Sequence, residues 1–277
     1  MIAVKGIILV LSCQKHLNTR VKNFKLPHEE YAGWKVIYVI GDLFLEDDYK
    51  VEGNLLTIKC EDSYIHLLKK LVLSLKYLYE TYDIKEGVLR AGDDLIFNEE
   101  LLQSFVMLPK VVPETSEAGN ANDPINFLGK SPSGRSLLAH DITDADIKAT
   151  TNDTFMVDYY MRHKEDFDNP RHNLKGVDIA KYVKRPHIPV GPCGIMFYLS
   201  NKSCKILIEH MEAIGYDIFH YDEDTGSYPY TIEDCAVSFI LYSNKISFIH
   251  TPSMYDEYYN NPDKVGVIAI HTNLNKY

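Results

Sequence analysis

The 277-residue sequence lacks the marks of several specialised protein classes. Its cysteines number only five, are widely spaced and include no CxxC pair, so neither a zinc knuckle nor a disulfide framework is predicted. The N-terminal apolar run, residues 7–11, is too short to span a membrane and passes directly into polar sequence, unlike a signal peptide. We therefore expect a soluble protein of a reducing, cytoplasmic compartment with no membrane span.

Basic residues are also scarce. The sequence has 29 Lys and Arg against 39 Asp and Glu, a formal net charge of -10. Long contacts with nucleic-acid phosphates need a basic face, so we expect no nucleic-acid partner. An acidic enzyme that handles an anionic substrate would need a metal ion. Tryptophan occurs once, whereas the 20 tyrosines offer flat rings with polar tips, suited to sugars and bases as well as to the core.

Apolar patterning in the first hundred residues predicts an α/β arrangement. Continuous apolar runs at residues 4–11 and 36–40 are typical of parallel strands covered on both faces, and residues 55–58 predict a third strand. A helix is expected over residues 16–24. Apolar residues recur on one helical face from 65 to 79, and a further strand ends at Gly92. The resulting alternation is typical of a nucleotide-binding half.

The second half is more irregular. A short helix is predicted over residues 101–108, followed by a loop-rich insert, 111–175, in which only residues 155–162 resemble a helix. A glycine turn at residues 191–194 then leads into a buried strand at 195–199 and a helix at 202–214. A last helix opens near residue 231, and late strands are expected at 247–250 and 265–270. We found no internal repeat, so one continuous domain is predicted.

The chemistry is expected at Gly92-Asp93-Asp94, where two adjacent carboxylates follow a buried strand. Such carboxylates repel each other and stay ionised cheaply only where a cation or several donors face them. In an open α/β sheet, ligands bind in the crevice beyond the carboxyl ends of the strands. A divalent metal held there could grip a diphosphate. The alternative is an ordinary Gly-Asp turn between two strands.

Four short motifs carry a resemblance to a known family. They are Asp62-Ser63-Tyr64 ahead of a helix with Lys70, the Gly-Asp-Asp-Leu-Ile-Phe-Asn stretch at 92–98, the glycine turn before an apolar strand and Ser200, and Glu233-Asp234. The sequence resembles the β1,3-galactosyltransferase and Fringe group of GT-A glycosyltransferases. It is also similar to the capsid-glycan glycosyltransferases of algal viruses, a xylosyltransferase in particular.

The resemblance implies a single-domain α/β fold of GT-A type, with a Rossmann-like mixed sheet flanked by helices. Residues 1–110 would form the nucleotide-sugar-binding half, and residues 111–277 the acceptor-binding half. The implied activity is metal-dependent, inverting transfer of a sugar from a UDP-sugar, with UDP-xylose as the first candidate. The implied acceptor is a hydroxyl group of a glycan or glycoprotein.

The implied metal site departs from the family pattern. That family normally has Asp-Asp-Asp, with the first acid near the donor ribose and the last on the metal. Gly92 replaces the first acid, so the resemblance implies Asp94 as the ligand of Mn²⁺ or Mg²⁺ and leaves the ribose contact of Asp93 open. His271 resembles the family's late metal-binding histidine, although a histidine at a strand end is more often a surface or core residue.

Asp234 is the candidate general base, which would take the proton from the acceptor hydroxyl so that attack inverts the anomeric centre. Glu233 is the second candidate. A structural role is the alternative, because Thr231 to Asp234 has the spacing of a capping box and acids in the first turn of a helix suit its dipole.

Donor and acceptor contacts are assigned to strand ends, cations and glycines. The donor-side candidates are Ser12, Cys13, Arg20, Asp62, Lys70, Arg90, Gly92 and Asp93. Each has an ordinary alternative: we expect Asp62 to cap its helix, and Lys70 could be a solvated helix charge. The acceptor-side candidates are Gly191, Pro192, Cys193 and Gly194, whose glycines permit a close backbone approach or simply form a turn.

Other functions compete with glycosyl transfer. One is a metal-dependent hydrolase that uses Asp93, Asp94, Asp234 and His271. Another is a nonenzymatic sugar-binding module, which would explain the tyrosines without an activated base. Gly-Asp-Asp is also a signature of RNA-dependent polymerases, but those need a second metal-binding acid and a basic template channel, and this chain is short and acidic.

Overall fold

The computed structural model describes residues 1–112, 122–257 and 266–272. The strands in these ranges are β1 (Ile2–Leu11), β2 (Glu30–Tyr31), β3 (Trp34–Gly41), β4 (Tyr49–Glu52), β5 (Leu55–Ile58), β6 (Tyr82–Gly92), β7 (Leu95–Phe97), β8 (Phe127–Gly129), β9 (Thr150–Asn152), β10 (Lys184–Pro186), β11 (Met196–Ser200), β12 (Phe248–His250), β13 (Tyr255–Glu257) and β14 (Ala269–His271). The helices are α1 (Lys22–Phe24), α2 (Leu67–Thr81), α3 (Glu99–Met107), α4 (Asp144–Lys148), α5 (Phe155–Arg162), α6 (Lys164–Phe167), α7 (Asn201–Ala213) and α8 (Glu233–Ser243).

A mixed sheet of nine strands organises the described residues. Its order is β12-β8-β11-β6-β1-β3-β5-β4, with β2 paired to β3. Strands β6, β1, β3 and β5 run parallel, and β11 runs antiparallel between β6 and β8. The predicted α/β class, with a Rossmann-like mixed sheet flanked by helices, is confirmed.

The core lies on both faces of this sheet. Alternate residues of β1 enter different apolar clusters: Ile7 and Leu9 pack on one face, whereas Ile8 and Val10 pack on the other. Helices α2, α7 and α8 pack against one another over the first face. A strand covered on both sides must be apolar at every position, which is why the continuous apolar runs predicted these strands correctly.

Helix α2 is confirmed, but its predicted cap is wrong. The helix begins at Leu67 after His66, and no side chain caps its first turn. Asp62 lies too far upstream to reach the first backbone N–H groups and binds elsewhere. The capping box predicted at Thr231 to Asp234 is also absent, because α8 begins at Glu233 and its N-cap residue, Ile232, has no side-chain acceptor.

Two further predictions need correction. The helix expected over residues 16–24 is broken into a 3-10 turn, a π-helical turn and the single turn α1. The insert at 111–175 is less irregular than expected, because β8 joins the central sheet between β11 and β12. Three residues are too few to show a strand period, so the pattern missed β8. The helix predicted at 155–162 is confirmed as α5, and residue 265 of the last predicted strand lies outside the described residues.

The strand order creates a crevice beside β1. From β1 the chain adds β3 and then β5 on one side, and returns to add β6 on the other side. Parallel strands flanking such a switch point leave an opening at their carboxyl ends, where ligands bind in open α/β sheets. Leu11 and Gly92 are paired at those ends, so Ser12 and Asp93 both lie at the crevice. Among the described helices, none is both long and apolar enough for a membrane span.

Candidate active site

Asp93 ties the ends of β1 and β6 together across the crevice. Its Oδ2 accepts hydrogen bonds from Ser12 Oγ at 2.7 Å and His16 Nδ1 at 3.1 Å, and its Oδ1 lies 3.3 Å from Arg20 Nη1. Burial alone would raise the pKa of Asp93, but the hydrogen bonds from His16 and Ser12 and the charge of Arg20 lower it. Both oxygens are therefore occupied by protein groups.

Asp94 points to a different neighbour. Its Oδ2 lies 3.3 Å from His271 Nε2, and both side chains are partly exposed. The contact is fixed by the backbone, because Asp94 carbonyl oxygen accepts from Thr272 N at 2.9 Å and Thr272 Oγ1 at 2.8 Å, and β14 pairs with β7 beside it. The structure thus brings together the two residues predicted as metal ligands, although they are 177 positions apart.

The donor set at this pair suits a hard divalent ion. A carboxylate and an imidazole are ligands that Mn²⁺ accepts, and neighbouring ligands of an octahedral ion lie about 3 Å apart. Among the described residues, Asp94 and His271 are the pair placed to hold such an ion, so diphosphate oxygens and water would complete the shell. Arg20 Nη1 lies 3.5 Å from Asp94 Oδ2 and balances the charge of the two carboxylates.

Gly92 explains why the acidic pair is not a triad. A Cβ atom built on Gly92 would lie 2.9 Å from Asp94 Oδ1. A side chain here would require the Asp94 carboxylate to shift. The glycine therefore leaves room for the observed position of this carboxylate, and its predicted donor contact stays a prediction.

Asp62 and Lys70 form a buried ion pair that binds the backbone just after β1. Asp62 Oδ2 accepts from Gln14 N at 2.7 Å, and its Oδ1 accepts from Gly41 N at 2.8 Å and from Lys70 Nζ at 2.6 Å. Lys70 also donates to the Ser12 carbonyl oxygen at 2.8 Å, and it is only 1% exposed. Neither a helix cap nor a solvated helix charge describes these residues, and Lys70 is not free to bind a donor.

Replacing Lys70 by Met is expected to destabilise the fold by about 3–5 kcal/mol, because Asp62 would keep a buried charge without its cation. Lys76→Met on the same helix is the matched control. Lys76 pairs with Glu212 at 3.0 Å at the surface, and such exposed pairs are worth about 0–1 kcal/mol. Urea denaturation followed by circular dichroism measures both. Equal effects of the two substitutions would contradict the role given to Lys70.

Arg90 and Glu233 form a second buried pair. The guanidinium donates from Nε to Glu233 Oε1 at 2.8 Å and from Nη2 to Glu233 Oε2, and its Nη1 donates to the Gly194 and Ile195 carbonyl oxygens. Both side chains are almost fully buried. Arg90 is therefore not a free donor-side cation, and Glu233 has no oxygen available for an acceptor hydroxyl.

Asp234 is hydrogen-bonded to the glycine turn at residues 191–194. Its Oδ2 accepts from Gly194 N at 2.8 Å and its Oδ1 from Cys235 N at 2.8 Å, and the residue is half-buried. Beyond Gly194, Ile195 carbonyl oxygen accepts from Gly92 N at 3.0 Å. The turn therefore joins the segment of Asp234 directly to the strand end that carries Asp93 and Asp94.

The remaining acceptor-side candidates line this turn. Gly191 packs closely on α8, since a Cβ there would lie 2.9 Å from Ser238 Oγ. A Cβ at Gly194 would make only an ordinary 3.6 Å contact with Asp234, so protein packing alone does not demand glycine at that position. Pro192 lies against Gly129, and the half-buried Cys193 thiol lies near Tyr255, where burial raises its pKa.

Comparison with protein-family models and with curated proteins gives no match. Among solved structures, the crystal structure of mouse xyloside xylosyltransferase 1 in its apo form is similar. The alignment covers 100% of both chains, with 9% sequence identity and a TM-score of 0.38.

Sequence reasoning missed His16 and Gln14. Both follow the end of β1 on irregular backbone, where no period marks them, although a polar run directly after a buried strand at a sheet edge was the available signal. Cys13, a predicted donor-side residue, lies between Ser12 and Gln14, and its carbonyl oxygen accepts from His16 N at 2.9 Å.

A second group of possible metal ligands, His163, Glu165 and Asp166, lies on the insert. Asp166 is already bound by Lys15 Nζ at 3.1 Å and by the Tyr159 hydroxyl at 3.1 Å. These contacts satisfy the carboxylate and anchor the insert to the segment after β1. We assign this group a structural role.

His16 gives the site a pH-dependent stability. Burial opposes its protonation, but the hydrogen bonds to Asp93 and Cys13 outweigh burial and raise its pKa from 6.5 to about 9. The stabilisation is fully present below pH 6.5 and is lost as pH rises through 9. At about 1.4 kcal/mol per pH unit it is worth about 3 kcal/mol at most.

Without metal, the free energy of unfolding of the wild-type protein is therefore expected to fall from pH 6.5 to 9 more steeply than that of His16→Gln. Urea titrations in EDTA across this range measure the difference. Parallel pH profiles would show that protonated His16 does not stabilise the fold.

Proposed function

We propose that the protein is a metal-dependent, inverting glycosyltransferase of GT-A type that transfers a sugar from a UDP-sugar to a hydroxyl group of a glycan or glycoprotein. The observation that carries the proposal is the pairing of Asp94 with His271 at the switch point of the sheet. Arg20 lies 3.5 Å from Asp94, and the half-buried carboxylate of Asp234 binds the glycine turn that is joined to the same strand end.

The donor diphosphate fits the region between β1 and β6. A metal ion held by Asp94 and His271 would neutralise the diphosphate as a leaving group. Arg20 is the cation of this region nearest to both carboxylates, at 3.3 Å from Asp93 and 3.5 Å from Asp94, and can turn towards a phosphate oxygen. Ser12 and Cys13 follow β1, where the backbone can meet the nucleoside, and Asp62 and Lys70 hold that backbone in place.

Asp234 is the better placed of the two candidate bases. Its oxygens accept from the backbone N–H groups of Gly194 and Cys235, and the half-buried carboxylate has further lone pairs for an acceptor hydroxyl, whereas both oxygens of Glu233 are bound by Arg90. The acceptor oxygen would bond to the anomeric carbon as the bond from that carbon to the diphosphate oxygen breaks. The acceptor proton would pass to Asp234, and the electron pair would leave with UDP.

Glu233 and Arg90 would then serve as positioning residues. Arg90 binds the carbonyl oxygens of Gly194 and Ile195, so the pair holds the glycine turn against β6. In this arrangement the Gly194 N–H orients Asp234 towards the acceptor. The cytoplasm is the proposed location, and all five cysteines being free supports a reducing compartment.

Turnover with a panel of UDP-sugars tests this proposal. UDP release is measured in Mn²⁺ with UDP-xylose, UDP-galactose and UDP-N-acetylglucosamine, each with a mixture of glycan acceptors, and UDP-xylose is expected to be used best. The anomeric configuration of the product, read by proton NMR, is expected to be opposite to that of the donor. Retained configuration would refute the inverting mechanism, and no turnover with any donor would refute the transferase.

A further inference from the structure

Three aromatic side chains form an exposed cluster beside the candidate site. Tyr64 and Phe155 are 42% and 44% exposed, and both contact the half-buried Tyr159. The Tyr64 and Tyr159 rings stack with centroids 5.0 Å apart at an interplanar angle of 26°, and Phe155 lies 5.7 Å from Tyr64. We refer to Tyr64, Phe155 and Tyr159 as the aromatic platform.

The platform is held rigidly by the elements that carry it. Phe155 and Tyr159 lie four residues apart on α5 and so share one face of that helix. The next residue, Tyr160, is buried, and its hydroxyl accepts from Ile65 N at 3.3 Å, which docks α5 onto the segment that carries Tyr64. Tyr64 and Phe155 stay partly exposed in this fixed arrangement, and rings held in place in this way are pre-organised to stack on a ligand.

The platform adjoins the proposed catalytic groups. Tyr64 lies two residues from Asp62, which binds the backbone after β1 through Gln14. Burial, followed by the carboxylates of Asp234, Glu233 and Asp94, raises the pKa of Tyr64 to about 12. The Tyr159 hydroxyl donates to Asp166 Oδ2 at 3.1 Å, and Asp166 Oδ1 accepts from Lys15 Nζ at 3.1 Å, just after β1. The platform is therefore joined to the segment that borders the crevice.

The surroundings of the rings favour a neutral polar ligand with one apolar face. Asp158 is exposed on α5 between the two platform residues of that helix, whereas Asp166 is already bound by Lys15 and by the Tyr159 hydroxyl. The exposed Asp158 carboxylate repels phosphates and can accept hydrogen bonds from hydroxyl groups. A pyranose ring matches both requirements, since its C–H face packs on an aromatic ring while its hydroxyls face outward.

We propose that the aromatic platform binds a pyranose ring of the acceptor glycan by stacking, and so presents a neighbouring hydroxyl to Asp234. The assignment of this sugar to the acceptor rests on the proposed function. A platform for the donor base is the competing role, and it makes a different prediction for UDP affinity.

The test uses methyl pyranosides of xylose, galactose, glucose, fucose and N-acetylglucosamine as probes. Saturation-transfer difference NMR measures their contact with the wild-type protein, Phe155→Ala and Tyr64→Leu. Met161→Ala is the matched control, because Met161 is a 69% exposed apolar residue of the same helix that is not part of the platform. Circular dichroism melting checks that each variant is folded, and calorimetry measures its affinity for UDP with Mn²⁺.

We expect saturation of the ring C–H protons by the wild-type protein and by Met161→Ala, and at least a fivefold smaller signal from the two platform variants. UDP affinity is expected to stay within twofold in all four proteins. No signal from any pyranoside with the wild-type protein would overturn the proposal, as would full signal from Phe155→Ala. Loss of UDP affinity in the folded platform variants would assign the rings to the donor base and also overturn it.

Failure of the proposed function has a separate signature. A wild-type protein that contacts pyranosides through the platform but binds no UDP with Mn²⁺ would be a sugar-binding protein without transferase activity. The platform would then stand as a sugar site, and only its assignment to an acceptor would be refuted.

Discussion

Asp94→Ala is expected to lower the affinity for Mn²⁺ in the presence of UDP at least 100-fold. The reason is geometric: Asp94 Oδ2 faces His271 Nε2 at 3.3 Å, and the substitution removes one of the two proposed metal ligands at this pair. Electron paramagnetic resonance of free Mn²⁺, titrated with protein at fixed UDP, measures this affinity directly.

Asp93→Asn is the matched control for Asp94→Ala. The oxygens of Asp93 accept from Ser12 and His16 and face Arg20, so this carboxylate links strand ends rather than facing a metal. We expect a lower free energy of unfolding, because His16 and Arg20 lose their partner, with Mn²⁺ affinity reduced less than tenfold. The reverse pattern, with metal binding lost in Asp93→Asn and kept in Asp94→Ala, would exchange the roles of the two acids.

Asp234→Asn is expected to reduce the turnover number by about 10²–10⁴, the usual contribution of a general base. The amide oxygen can still accept from Gly194 N, as Oδ2 does now at 2.8 Å, whereas the contact of Oδ1 with the adjacent Cys235 N is lost. The turn and the affinity for UDP with Mn²⁺ are expected to persist because the Gly194 contact is kept. Initial rates of UDP release with saturating donor and acceptor measure turnover, and calorimetry on the same preparation measures UDP affinity.

The substitution Glu233→Gln tests whether Glu233 positions the glycine turn, as proposed, or acts as the general base in place of Asp234. Its carboxylate is bound to Arg90 through both oxygens, so loss of the charge leaves a buried guanidinium without its partner. The substitution is expected to lower the melting temperature, which Asp234→Asn is not. If Asp234→Asn keeps more than half of wild-type turnover, Asp234 is not the base.

The periodic parts of the fold were predictable from sequence. β1 and β3 are continuous apolar runs, and α2 shows a one-sided apolar stripe, because the core covers these strands on both faces and the helix on one. β8 was missed because three residues at the end of a polar segment carry no period. Its place in the central sheet is decided by β11 and β12 on either side.

The site was only partly predictable, and the reason is sequence separation. Asp94 and His271 were named from motifs, but their contact spans 177 positions and depends on β14 pairing with β7. Asp62 shows the opposite error. A local rule favoured a helix cap, whereas the fold surrounds this carboxylate with Lys70 and two backbone donors, one from the turn after β1 and one from the end of β3.

Buried charges were the least visible feature. Arg90 lies on β6 and is paired with Glu233, 143 positions away, whereas Lys70 lies on α2 and is paired with Asp62, 8 positions away. The sequence next to either cation does not indicate that it is buried with a partner. Because a buried charge must be paired, the partner follows only once the sheet order is known. Both cations therefore bind the backbone around the site, through Ser12 for Lys70 and Gly194 for Arg90, and do not line it.

Calorimetric titration of UDP into the wild-type protein, first with Mn²⁺ and then with EDTA, tests the central claim most directly. The predicted result is saturable binding in Mn²⁺ that is lost in EDTA, because in the proposed site Asp94 and His271 would hold the diphosphate through a shared ion. No binding of UDP in Mn²⁺, or equal binding in EDTA, would contradict a metal-dependent UDP-sugar site at the end of β6.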